Sequence, residues 1–251
     1  MKVQRRSIRA VAASVVGLLA VVGVGWGTAS PAGAAAWDPF PTATLMVTTQ
    51  FVDFLDRAPT TTESSLWVTR LTTGTHARYN LVASLRASTD NLTYVDPIVR
   101  LYLTALVRPP DTSGYNYWVG QRRSGAKTAQ QVADAFVTTT EYATHYGGLT
   151  NTQFVNELYL NVFGWAPGAT DLAYWVGRLN TGESRASVLR AFKETPGAIT
   201  ELQAEVNISV GVIAMFHRSA LWSDISTHGS YGDYPDLLAE VFFQHADYHY
   251  P

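Results

Sequence analysis

Three tryptophans, Trp67, Trp118 and Trp175, carry matching residues at matching distances, and this constrains the chain more than anything else in it. Pro59, Pro110 and Pro167 stand eight residues before them, and Gly74, Gly125 and Gly182 seven after. Phe51, Tyr102 and Tyr159 lie sixteen before, and Leu85, Phe136 and Phe192 follow at 18, 18 and 17. A period of this size marks one supersecondary unit written several times. Each copy needs its neighbours to bury its apolar face.

The period inside each copy is helical. Val155, Leu158, Tyr159, Val162 and Phe163 fall at i, i+3, i+4, i+7 and i+8, as do Ile98, Leu101, Tyr102, Ala105 and Leu106. Val47, Phe51, Phe54 and Leu55 form the matching stripe in copy one. A second helix carries the tryptophan, and a third carries Val132, Ala133 and Phe136 or their equivalents. The prolines forbid continuation of the first helix. Thr60-x-x-Glu63, Thr128-x-x-Gln131 and Thr150-x-x-Gln153 are capping-box patterns. The glycines suit a left-handed residue at the end of the second helix. The expected fold is all-α: tandem repeats of a three-short-helix unit, three clear copies plus one degenerate C-terminal copy. That last copy is anchored on Trp222, with Gly229 seven residues later and Phe242 in its closing helix. The division is 1–36 signal peptide, 37–92, 93–148 and 149–198 for the three repeats, and 199–251 for the degenerate acidic, His-containing repeat or cap. Solenoid and compact bundle both satisfy the pattern.

Leu101-Tyr102 through Arg108-Pro109-Pro110-Asp111, Gly114 and Trp118 resemble the bacterial family catalogued as domain of unknown function 4214. Leu158-Tyr159, Gly164, Pro167, Trp175, Gly182 and Ser184 resemble it too. The similarity runs from Thr44 to about Ala198. More distantly, the family resembles the helical linker domains of phycobilisomes, which hold proteins together. The resemblance implies adhesion or assembly by exported proteins and names no ligand. Copy one has Thr61 and Ser64, and copy three Gly168 and Asp171, where the family has its D-x-x-G. A ligand loop there would survive in only one copy.

Lys2, Arg5, Arg6 and Arg9 precede an apolar stretch from Ala10 to Trp26 and the small residues 31–36. That is the pattern of a cleaved secretory signal, the alternative being an uncleaved anchor. The expectation is a bacterial protein that is secreted, extracellular or at the cell surface, with no membrane insertion after cleavage. The remaining chain has 14 basic residues against 20 acidic, which argues against nucleic acid. There is no cysteine, so the fold uses no disulfide. From Glu194 onward Arg218 alone faces eight acids, alongside His217, His228, His245 and His249. Those histidines could change the tail's charge between pH 5 and 8.

No nucleophile elbow, phosphate loop, dinucleotide fingerprint or zinc-helix motif occurs, and no catalytic, cofactor or metal residues are assigned. His245 and His249 alone are too few for a metal. Trp67, Trp118, Trp175 and Trp222 are expected as core anchors. Arg57 and Arg108 are expected to bond the last carbonyls of the first helix. Trp165 takes the place of those arginines and, with Tyr231 and Tyr234, is the candidate binding surface. The expected function is a non-catalytic binding or assembly module whose partner is protein or glycan at the cell envelope. The alternatives are an envelope-polymer hydrolase with a C-terminal site and a passive spacer; the oligomeric state is open.

Overall fold

The computed structural model describes residues 37–245 and Tyr248, so residues 1–36, where a signal peptide is expected, and His249 lie outside the described residues. Among the described residues the regular structure is helical throughout. Unit one is α1 (Ala43–Leu55), α2 (Thr61–Thr72) and α3 (Arg78–Arg86). Unit two is α4 (91–106), α5 (Thr112–Arg123) and α6 (Ala129–Val137), followed by an additional short helix α7 (Thr140–Tyr146). Unit three is α8 (Asn151–Val162), α9 (Ala169–Asn180) and α10 (Arg185–Phe192). Unit four is α11 (Pro196–Phe216), α12 (Trp222–His228) and α13 (Pro235–Phe243). The edges drawn at 92/93 and 198/199 fall within the first turns of α4 and α11.

Each opening helix stops at one device. Asp56, Val107, Gly164 and His217 all adopt left-handed φ, at +54°, +53°, +81° and +51°. This satisfies the helix end and turns the chain through about four residues into the second helix. Pro59, Pro110 and Pro167 then stand immediately before the N-caps Thr60, Asp111 and Gly168. The capping boxes at Thr60–Glu63, Thr128–Gln131 and Thr150–Gln153 are formed. Gly74, Gly125 and Gly182 have φ of +70°, +72° and +96°.

The opening helices face inward. α11 packs against α1, α4 and α8, as well as α12 and α13 of its own unit. It is apolar on nearly every side because it has neighbours on nearly every side. Its length and composition would let it cross a membrane, yet 72% of its most apolar window is buried inside the protein. The closing helices pair across units, α3 with α13 and α6 with α10. Unit one therefore meets unit four, and the row closes into a bundle instead of extending as a solenoid. A single apolar cluster runs from Phe40 to Phe243 through all four units.

One buried polar cluster spans this closure, and a second ties units two and three. The Arg86 guanidinium, 4% exposed, pairs with Asp96, 1% exposed, at 2.8 Å. It also donates to Asn91 at 2.8 Å and Asn207 at 2.9 Å. Units one, two and four thus share one buried cation. In α4, π-helical segments at Asn91–Val95 and Tyr102–Leu106 interrupt the α-helix. A π turn displaces carbonyls from the regular ladder. The Tyr146 hydroxyl donates to the Thr104 carbonyl at 2.6 Å, and Asn161 donates to that hydroxyl at 3.0 Å. α4, α7 and α8 are tied by these bonds.

Candidate functional site

At the corner between opening and second helix, three of the four units repeat one polar arrangement. Four residues before the second helix stand Arg57, Arg108, Trp165 and Arg218. Arg57 makes a bidentate pair with Glu63, at 2.7 and 2.8 Å, in the first turn of α2. Arg218 does the same with Asp224 of α12, at 2.7 and 2.9 Å. Arg108 reaches Asp111 at 3.2 Å and crosses to Glu141 of α7 at 2.6 Å. Each arginine also donates to the carbonyl of the residue after it. The sequence expectation for Arg57 and Arg108 is corrected here: they secure the start of the following helix, where an acid already sits favourably, and not the end of the preceding one.

The second helix places its anchor at its seventh residue. Trp67 and Trp175 are buried there, and Trp118 is half-buried. Trp118 and Trp175 pack on Phe136 and Phe192, each with ring centres 5.5 Å apart. In unit four the seventh residue is His228, buried with its ring 5.0 Å from Phe242. Trp222 is the first residue of α12 and only partly buried, so the anchor assigned to it from sequence belongs to His228. Burial chiefly, then the nearby His245, hold His228 below 6.5. The histidine that meets His245 is thus His228, with ring centres 5.9 Å apart. No cluster of three metal-ligating residues occurs among the described residues.

Unit three breaks the corner pattern. Asp171 occupies the first turn of α9, but Trp165 stands where the arginine would be. Its ring is 56% exposed and tilted over Phe163 at 5.6 Å. Phe163 touches Phe192, Phe192 touches Trp175, and Trp175 carries Tyr174 edge-on at 4.9 Å. Tyr174 is 58% exposed. The Arg178 guanidinium lies over both Tyr174 and Trp175. A chain of ring contacts therefore runs from the core to two exposed aromatics. Of the other candidate surface residues, Tyr234 is exposed and Tyr231 is half-buried against the core. Both lie between α12 and α13, on a different unit from Trp165.

A separate cleft of about 240 Å³ opens between α1 and α5. Asp53, Asp56, Asn116 and Arg123 line it with Tyr115 and Gly120. Asp53 Oδ1 faces His217 Nε2 at 3.1 Å. Burial raises the Asp53 carboxyl to about 6, and the His217 contact opposes that rise. Arg123 is held by Asp90 and by the Phe54 carbonyl. Sequence reasoning missed this cleft, because its walls, α1 and α5, belong to different units and meet only in the folded protein.

Residues 88–146 and 133–201 match the family model described as Domain of unknown function (DUF4214). These residues belong to the DUF4214 family. No curated protein and no solved structure matches the chain. The two DUF4214 stretches overlap across the end of α6 and α7, so α7 closes one copy and leads into the next. α1–α3 and most of unit four lie outside the matched stretches but keep the same three-helix order. In the first DUF4214 stretch, Asp111-x-x-Gly114 is a helix cap. Asp111 accepts from the Gly114 amide at 2.8 Å and the Ser113 hydroxyl at 2.7 Å. Burial pushes Asp111 up, but these bonds and Arg108 outweigh it and hold the carboxyl below its ordinary value. A Cβ at Gly114 would stand 2.1 Å from the Tyr102 hydroxyl, so only glycine fits. The geometry gives this motif a structural task.

Proposed function

We propose that the chain is an exported, non-catalytic binding or assembly module whose partner is protein or glycan at the cell envelope. The observation that carries this reading is Trp165. Three of four equivalent corners hold an arginine paired with an acid, and the fourth presents a large exposed aromatic instead. Exposing an indole gains the fold nothing, while aromatics are enriched where proteins meet partners. Tyr174, joined to Trp165 through the core rings, supplies a second exposed ring in the same unit. Export rests on the basic and apolar N-terminal pattern.

Trp165→Arg tests the reading without attacking the fold, since it restores the residue type found at the other corners and offers Asp171 a partner. The melting temperature is expected to stay within about 2 °C of wild type. Retention on envelope fractions from the producing cell is expected to fall at least about tenfold, a loss of about 1.4 kcal/mol. Equal retention of variant and wild type would remove Trp165 from any binding role.

A further inference from the structure

The cleft between α1 and α5 stands on residues unrelated to Trp165. Its walls carry two carboxylates, Asp53 and Asp56, against one guanidinium, Arg123, already engaged by Asp90. The surplus is negative and rich in acceptors. Asn116 and Arg123 add donors along α5. Asp56, the residue that ends α1, stands at the edge of the cleft and is exposed.

Gly120 is the second sign. It sits inside α5, where glycine costs a helix about 0.5–1 kcal/mol relative to alanine. Nothing lies within 4 Å of where its Cβ would stand, so packing does not require the glycine. It lines the cleft and leaves room there. About 240 Å³ is below the range that holds drug-sized molecules and suits one six-membered ring.

We infer that this cleft binds one amino-sugar ring, with the ligand's ammonium against Asp53 and Asp56 and its hydroxyls against Asn116 and Arg123. The charge surplus selects the ammonium. The mixed donors and acceptors along α5 select a hydroxylated ring over a plain alkylamine. His217 occupies one oxygen of Asp53 and leaves the other for the ligand.

Calorimetric titration of the full chain with glucosamine, N-acetylglucosamine and glucose tests this. Glucosamine is expected to bind saturably, and the two uncharged sugars at least about tenfold more weakly. Asp56→Asn, at an exposed position that leaves folding intact, is expected to weaken glucosamine about tenfold. Gly120→Leu, which fills the cleft, is expected to abolish binding while the circular dichroism spectrum is unchanged. Trp165→Arg is expected to leave it unaltered, which separates this site from the aromatic face. No saturable heat with glucosamine, equal affinity for all three sugars, or full binding by folded Gly120→Leu would each overturn the inference.

Discussion

Burial lifts the Asp53 carboxyl from 3.8 to about 6, against the pull of His217. Between those values the folded protein keeps a proton that the unfolded chain has released. The stability Asp53 contributes is thus full below about 3.8 and lost as pH rises through about 6. His228 works in the opposite sense. Its folded value is depressed below 6.5, so its contribution is present above that pH and lost on acidification. Substitution separates the two. Asp53→Asn is expected to raise stability by about 1–2 kcal/mol at pH near 7.5 and by almost nothing near pH 3.5. Urea unfolding at the two pH values checks it, and a pH-independent difference would mean that Asp53 is not ionised against its surroundings. Trp165 was legible in the sequence as the exception in an aligned column. Asp53 was not, because His217, which faces it, comes from unit four, and α5 of unit two supplies the other wall of its cleft.

The opening helices of units one to three were readable from apolar spacing, because that spacing is what buries them; α11 was not, since it is apolar on nearly every side and shows no stripe. Misassignment of Trp222 shows where the reading by letter fails. What defines the anchor is distance from the N-cap, and a histidine of smaller volume fills that place over Phe242. Helix α7 and the π turns of α4 gave no such signal, since the Leu101–Tyr102 stripe is compatible with a regular helix. Tertiary packing meets the second of these π turns: the Tyr146 hydroxyl donates to the carbonyl of Thr104, in the last turn of α4, where carbonyls have no partner in their own helix. Tyr146→Phe removes that donor and leaves both the carbonyl and the Asn161 amide buried without it. The expected loss is about 1–3 kcal/mol. A lower urea midpoint with an unchanged slope is the outcome to look for. A loss under about 0.5 kcal/mol would show that the π turn needs no external donor.

Closure of the four units makes the protein cooperative in a way an open row is not. In a row each unit answers only to its neighbours. Here unit one leans on unit four, and Arg86 is shared by three units. Tryptophan fluorescence and helical dichroism are therefore expected to report one coincident transition in urea. Two separated transitions would mean that the halves melt independently. Arg86→Ala strands Asp96 in the core and is expected to cost about 3–5 kcal/mol. Arg57→Ala, at an exposed corner, should cost no more than about 1 kcal/mol.

The same closure brings the two ends of the described chain side by side. Phe40 and Tyr248 meet edge to face with ring centres 6.1 Å apart, and Arg78 reaches back to the Asp38 carbonyl. Order along the chain then matters less than order around the bundle. Joined by a short linker at those ends and cut at the exposed Gly147–Gly148 turn, the sequence would read three, four, one, two. It would still describe the same molecule, a circular permutant whose first and last residues are a matter of bookkeeping.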